Sequence, residues 1–226
     1  MRNLILSCLI LLASTLVNAQ SSKIRVVFVS NLDTIFSVVT FDKTRDFNIN
    51  FVKGWETDLK TYLDSSKYEI YFDTIPKNVK KMSPIAFSFN KNNSKIKAWL
   101  PTLQEKKYDI LLFLYSPPLV DSYYMFLSQS YGLLMGGNKA FSINQIRAYR
   151  ISDFKYLEAM GLFHTKDFIK NLNKKDRITK EIDYVTEKDL NAAIEGVKEL
   201  NRNIVIEKVA KKMNSDKFQE KYYNKK

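Results

Sequence analysis

The stretch Tyr108-Asp109-Ile110-Leu111-Leu112-Phe113-Leu114-Tyr115 decides how this 226-residue chain is predicted to fold. It is apolar almost throughout, and Ser116-Pro117-Pro118 ends it. A strand with apolar side chains on both faces belongs inside a sheet that is covered above and below. The run is too short for a membrane span and short for a buried helix. We therefore predict a central strand over 108–115, walled by the helices that carry Trp55 and Trp99.

Strands and helices alternate before this stretch. β-branched and aromatic residues predict strands over 23–30, 35–41 and 68–72. Apolar residues that recur every four positions from Phe47 to Leu63 predict a helix over 47–63, with Thr44 or Asp46 as its cap. A second amphipathic pattern predicts a helix over 94–107, which Pro101 kinks or restarts.

The pattern changes after Pro118. Strands are predicted over 123–127, 131–135 and 141–151, with a hairpin turn at Gly136-Gly137-Asn138. Helices are predicted over 153–160, 166–172 and 187–213, with a bend in the last at 201–203. The fold class is α/β with an α+β tendency: a mixed sheet with a βαβαβ first half, an antiparallel hairpin, and C-terminal helices packed on it.

The amino terminus has the features of a signal peptide. Arg2 precedes an apolar run over 4–17, and Val17-Asn18-Ala19 fits a cleavage site before Gln20. We predict a signal peptide over 1–19, one globular domain over 20–213 and a basic flexible tail over 214–226. The alternative, a membrane anchor, conflicts with the shortness of the apolar run. The mature chain is then exported, periplasmic or extracellular, and has no transmembrane span.

Positive charge is concentrated in one part of the chain. The formal net charge is +12, and eight lysines lie between 77 and 107 against one acid, Glu105. Such a patch favours an anionic glycan or lipid surface as partner, and the alternative is a solvated face without a role. Nucleic acid is not expected as a partner of an exported chain. The candidate binding residues are Lys77, Lys80, Lys81, Lys91, Lys95 and Lys97.

Several chemistries lack their residues. The only cysteine is Cys8, inside the predicted signal peptide, and the only histidine is His164, which is predicted to precede a helix. A metal site of sulfur or nitrogen ligands is therefore not expected, and neither is a disulfide. No phosphate loop, dinucleotide fingerprint or nucleophile elbow is present, so no cofactor is predicted. Ser116 ends the central strand, but the prolines after it prevent the turn that activates a serine.

Acidic residues offer the best case for an enzyme. Asp33, Asp73 and Asp121 each follow a predicted strand. If those strands are parallel and adjacent, their carboxylates meet at one sheet edge, where a pair can act as acid and base in a hydrolase. The alternative is turn chemistry, because aspartate is common at strand ends.

The order of elements resembles a periplasmic type of domain. The strand at Ile24–Val29, the helix 47–63, the strand 68–72, the helix 94–107, the strand 108–113 and the segment Gln145–Asp153 look similar to TolB amino-terminal and CsgG-like lipoprotein domains. The resemblance implies a βαβαβββ-like sandwich with a closing helix such as 187–213, and it implies no catalytic residue. This chain lacks the lipid-carrying cysteine. The sequence favours a non-enzymatic exported module that binds a protein or an anionic envelope component, with an exported hydrolase as the alternative.

Overall fold

The computed structural model describes residues 23–32, 35–39, 44–49, 51–80, 94–115, 131–134, 139–160, 163–167 and 187–224. The predicted signal peptide, the predicted strand over 123–127 and the predicted turn at 136–138 lie outside these ranges. So does a further short strand, which the alternation of Ile85, Phe87 and Phe89 with smaller residues predicts. The strands are β1 (Ile24–Ser30), β2 (Ile35–Val39), β3 (Thr44–Asn48), β4 (Tyr68–Asp73), β5 (Ile110–Tyr115), β6 (Tyr131–Leu134), β7 (Lys139–Ile143), β8 (Gln145–Arg150), β9 (Lys155–Met160) and β10 (Phe163–Asp167). The helices are α1 (Val52–Tyr62), α2 (Lys77–Lys80), α3 (Ser94–Glu105), α4 (Glu187–Asn203), α5 (Lys211–Met213) and α6 (Asp216–Tyr223), and a π-helical segment (Ile204–Ala210) joins α4 to α5.

Five strands form sheet A, in the order β4-β1-β5-β8-β9. β1 pairs in parallel with both β4 and β5, whereas β8 runs antiparallel to β5 and to β9. Parallel pairs require crossovers, and α1 and α3 lie in the two connections that join β1, β4 and β5. The predicted α/β fold with a mixed sheet is therefore confirmed.

The predicted central strand is also confirmed. β5 is third of five strands, and all six of its residues are buried. Ile110, Leu112 and Leu114 belong to one core cluster with Trp55 of α1, whereas the alternate residues belong to a second cluster with Trp99 of α3. Because successive side chains of a strand point to opposite faces, the apolar run supplies both clusters at once.

Five further strands form sheet B, in the order β10-β7-β6-β2-β3. The predicted long strand over 141–151 is wrong, because the chain leaves sheet B after Ile143 and enters sheet A at Gln145. Asn144 lies between the two strands and is fully buried, and its Nδ2 donates a hydrogen bond to Ser142 Oγ at 2.6 Å. One buried asparagine therefore marks the point where a continuous β-prone sequence changes sheets.

Three predicted helices are partly or wholly strands. The helix predicted over 47–63 begins only at Val52, because Phe47 pairs with Phe36 in the β2–β3 ladder. Residues 155–160 form β9 rather than a helix, since β8 offers them a partner. Residues 163–167 form β10, so His164 lies in a strand opposite Ser142 rather than before a helix. In each case long-range pairing overrides a helix-compatible pattern.

The π-helical segment packs on α1 and α6 packs on β9 of sheet A, whereas α4 packs mainly on β6, β7 and β10 of sheet B. The predicted helix over 187–213 is confirmed in extent, although α-helical geometry ends at Asn203 and the π-helical segment follows. The predicted flexible tail from 214 is wrong, because α6 is capped by Ser215 and buries Phe218 in the core. The many basic residues of this segment suggested a solvated tail, but two hydrogen bonds attach it to the rest of the fold. Tyr68 donates to the Met213 carbonyl at 2.5 Å, and Arg150 donates to the Tyr222 carbonyl at 2.6 Å.

Candidate binding surface

Asp73 is the acidic candidate that the structure describes. It ends β4 beside β1, and its side chain is 21% exposed. Lys106 Nζ donates to Asp73 Oδ2 at 2.5 Å, and the Thr74 amide donates to Oδ1 at 2.8 Å. The hydrogen bond between Lys106 and Asp73 raises the pKa of Lys106, so the ammonium stays charged throughout the neutral range. The carboxylate therefore already has a cation and an amide as partners.

Asp33 and Asp121 lie outside the described residues. The proposed meeting of three carboxylates therefore stays a prediction. The known geometry of Asp73 agrees with the turn chemistry that was the alternative for strand-end aspartates.

A cleft lies between α2 and α3 next to this ion pair. Its volume is about 320 Å³. Its walls include Asp73 and Lys106 at one end, Asn78 of α2, and Ala98, Trp99 and Thr102 of α3. The space falls at the lower end of the range of small-molecule sites. Its lining is polar at the rim, with the Trp99 side chain packed into the core below.

Three of the candidate lysines have described, exposed side chains on the two helices that flank this cleft. Lys77 begins α2, and Lys95 and Lys97 lie in the first turn of α3. Lys95 lies three and seven positions before Ala98 and Thr102, so it shares the helix face that lines the cleft. The side chain of Lys80, and residues Lys81 and Lys91, lie outside the description.

The described part of this region keeps a positive excess. Residues 73–80 and 94–107 contain six lysines and two acids, Asp73 and Glu105. The Lys106–Asp73 pair accounts for one charge of each sign, and the two segments contain five further lysines and one further acid, Glu105. We call the exposed surface of α2 and α3 around the cleft, with Lys77, Lys95 and Lys97, the basic face.

A larger groove is walled by α1 and α4, and no pattern in the sequence predicted it. It has a volume of about 640 Å³ and runs between α1 and α4. Phe51, Gly54 and Trp55 line it from α1, and Gly196, Asn201 and Arg202 are among the residues that line it from α4. These two sets are about 140 positions apart in the sequence, so only the fold brings them together.

The rim of this groove carries opposite charges. Desolvation by burial raises the pKa of Asp58, and the Arg202 guanidinium partly offsets that rise. Arg202 donates from Nη2 to the Tyr62 hydroxyl at 2.6 Å, and this hydrogen bond raises the pKa of Arg202. The charged groups of the rim thus hold α1 and α4 together across the groove.

Buried polar groups lie beneath the groove. Ser142 Oγ donates to Asn201 Oδ1 at 2.8 Å and accepts from Asn144, which joins β7 to α4. Asn201 Nδ2 and Trp55 Nε1 have no hydrogen-bond partner among the described residues, and both atoms are inaccessible to solvent. Since neither atom reaches the open space, these donors do not define a ligand site at the groove surface.

The described ranges contain no candidate metal site and no candidate membrane-spanning helix. Within them, no group of three or more histidine, cysteine or acidic side chains is placed to hold a metal ion. No helix in that part of the chain has the length and apolar character needed to cross a bilayer.

Comparisons with known proteins give little. No family model matches the sequence, and none of the curated proteins matches it. Among solved structures, the chain is similar to protein XCC0632 from Xanthomonas campestris, which the family model DUF330 describes. The identity is 8%, the match covers 81% of this chain and 82% of that one, and the TM-score is 0.38. At this score the likeness carries no argument, and the resemblance to TolB amino-terminal and CsgG-like domains stays a prediction.

Proposed function

We propose that this chain is an exported, non-enzymatic module whose basic face binds the anionic groups of an envelope component. The observation that carries the proposal is the exposure of Lys77, Lys95 and Lys97 on the two helices that flank one cleft, in a region where lysines outnumber acids. Asp73, which lines this cleft, is paired with Lys106. The cluster therefore has a net attraction for phosphate or carboxylate groups.

The chemistry of the cluster fits a surface better than a single small ligand. The six basic residues of the two described segments are all lysines. Arginine gives forked, bidentate recognition of one phosphate, whereas lysine acts as a point charge on a flexible stem. Several point charges on two neighbouring helices suit a layer of repeated negative charges, as in a lipid headgroup surface or an acidic glycan.

Binding to vesicles and to an immobilised acidic glycan tests this proposal. We expect the full chain to sediment with vesicles that contain an anionic phospholipid, or to be retained by a uronic-acid polysaccharide, and to be released as salt is raised. Vesicles of zwitterionic lipid alone should not bind it. Binding to one anionic material and not to the other identifies the source of the charge.

A charge-matched pair of variants separates the basic face from net charge. The first variant carries Lys77→Gln, Lys95→Gln and Lys97→Gln. The control loses the same charge from exposed lysines elsewhere: Lys188→Gln, Lys208→Gln and Lys217→Gln. We expect the first to lose most of its binding and the second to keep it. Equal losses would mean that net charge alone is responsible, and would overturn the proposal.

Export is tested independently of binding. Expression of the full chain in a bacterium with a periplasm, followed by fractionation and amino-terminal sequencing, should give a product that begins at Gln20. An uncleaved chain in the cytoplasm would contradict this part of the proposal.

A further inference from the structure

We infer that β4 is an interaction edge at which two copies of this chain pair antiparallel and join their two sheets A into one continuous sheet. The inference depends on the backbone of Tyr68–Asp73 and is independent of the basic face. It starts from a difference between the two outer strands of sheet A, which are β4 and β9.

The outer edge of β9 is covered by lysine side chains. Lys212 Nζ donates to the Ala159 carbonyl at 3.2 Å, and Lys221 Nζ donates to the Leu157 carbonyl at 3.4 Å. Both lysines come from the C-terminal helices, and both also contact the Glu158 carboxylate. Cationic side chains on an edge strand prevent another strand from adding to it.

The outer edge of β4 carries main-chain groups that pair with none of the described strands. The Ile24 amide donates to the Lys67 carbonyl at 2.9 Å, and Ile24 is in register with Tyr68. In a parallel ladder with this register, the main-chain N–H and C=O groups of Glu69, Tyr71 and Asp73 point toward β1. Those of Tyr68, Ile70 and Phe72 point outward. The Tyr68 amide is used by the Asp64 carbonyl at 2.9 Å. Within the described residues, the main-chain groups of Ile70 and Phe72 have no partner.

The side chains of β4 suit strand addition. Its sequence, Tyr-Glu-Ile-Tyr-Phe-Asp, contains no proline and no lysine, the two residues that commonly block an edge. Ile70 and Phe72 lie on the α1 side of the sheet and are only partly buried. Phe72 packs against Phe28 with ring centroids 5.6 Å apart. A strand beside β4 would bury the rest of both side chains.

The sequence of β4 is self-complementary in one antiparallel register. In an antiparallel pair an outward-facing residue stands opposite another outward-facing residue. The two such registers that keep most of β4 paired with itself place the two-fold axis at Ile70 or at Tyr71. With Ile70 opposite the partner's Ile70, Tyr68 faces the partner's Phe72, and Lys67 faces the partner's Asp73. With Tyr71 at the axis, Glu69 would face the partner's Asp73, and directly opposed like charges destabilise a sheet. The charges therefore select the Ile70 register and a second copy as the occupant.

The mass of the full chain in solution, measured over a range of concentrations, tests the pairing. We expect a reversible dimer. Ile70→Pro removes an outward amide that β1 does not use, so it should halve the mass while the circular dichroism spectrum stays native. Ile70→Lys places two ammonium groups at the axis and should do the same. Ile70→Val, as the control, should remain dimeric. A wild-type chain that is monomeric throughout, or a dimer that survives both disruptive variants, would overturn the inference.

Cross-linking tests the register. In a Cys8→Ser background no cysteine remains, so a new one reports on a single position. Opposed residues of an antiparallel pair have Cα atoms close enough for a disulfide. We expect Ile70→Cys to give a covalent dimer on oxidation and Tyr71→Cys to give none. A dimer from Tyr71→Cys alone would overturn the Ile70 register and the charge argument that selects it.

Discussion

The two faces of sheet A are covered in different ways. On one face, α1 and the C-terminal helices bury Trp55, Phe218 and the guanidinium of Arg150, which is 4% exposed. On the other face, α2 and α3 bury Trp99 but present lysines to solvent. Polar groups on the first face are buried and bonded across long stretches of sequence. We therefore expect the first face to contribute most of the stability and the second face to carry the proposed binding.

The largest expected difference between the faces concerns the two tryptophans. Trp55 is fully buried and stacks on Phe28, whereas Trp99 is 5% exposed beside the cleft. We expect Trp55→Ala to lower the free energy of unfolding by about 3–5 kcal/mol, because the whole side chain is buried and its loss leaves a cavity. Trp99→Ala should cost less, since the Trp99 side chain keeps some contact with solvent. Urea unfolding of both variants measures this, and equal losses would remove the proposed asymmetry.

The second largest expected difference between the faces is in the contribution of their ion pairs to stability. Arg150 Nη2 lies 2.5 Å from Asp153 Oδ2, and its side chain also donates to the Tyr222 and Asn224 carbonyls. Arg150→Met leaves two partly buried carbonyls without this donor and should cost about 2 kcal/mol. The Lys106 side chain is 52% exposed, so Lys106→Gln should cost about 1 kcal/mol or less. Limited proteolysis of the Arg150 variant should also release α6 first, whereas the Lys106 variant should resist.

The same two pairs predict opposite dependences on pH. A hydrogen bond from Arg150 lowers the pKa of Asp153, although desolvation opposes it. Its contribution to stability is therefore complete above the ordinary aspartate pKa and is lost as pH falls through the lowered folded value. The pKa of Lys106 is raised, so its contribution is complete below the ordinary lysine pKa and is lost as pH rises through the folded value.

Matched variants measure these two dependences. The difference in unfolding free energy between the wild type and Asp153→Asn should be constant near neutral pH and should close in acid. The difference between the wild type and Lys106→Gln should close in alkali instead. Two differences that close at the same end of the pH range would contradict the assignment.

The smallest expected effect lies within the α1–α4 groove. A Cβ added at Gly54 would meet nothing within 4 Å, whereas one at Gly196 would lie 3.3 Å from Ala140 Cβ. Gly54→Ala should therefore raise the free energy of unfolding by about 0.5–1 kcal/mol, because alanine favours the helix. Gly196→Ala should gain less or lose stability, since α4 must move from β7. Thermal unfolding measures both, and equal gains would show that α4 is not held close to the sheet.

Strands made mainly of β-branched and aromatic residues could be predicted from the sequence. β1, β4 and β5 were placed correctly because β-branched and aromatic residues favour extended structure and because flanking turns limit each run. β9 was mistaken for a helix because Leu157, Glu158, Ala159 and Met160 are good helix formers. These residues form a strand because β8 pairs with them. A short stretch of sequence does not show which strand will pair with it.

The candidate site was predictable in part for the same reason. The position of the lysines follows from composition, and their exposure follows from the amphipathic pattern of α3. The pairing of Asp73 with Lys106 joins residues 33 positions apart, and the groove joins α1 to α4. Contacts of that kind depend on which elements pack together.

The sequence by itself determined that 110–115 is a buried strand, because a run that is apolar at every position can be satisfied only between two covering layers. Only the tertiary structure decided that the chain changes sheets at Asn144, that the C-terminal residues form a docked helix, and that β4 is an outer strand of sheet A in the described part of the chain. Each of these outcomes depends on partners supplied by distant segments, and main-chain hydrogen bonds take whichever partner the packed core brings within reach.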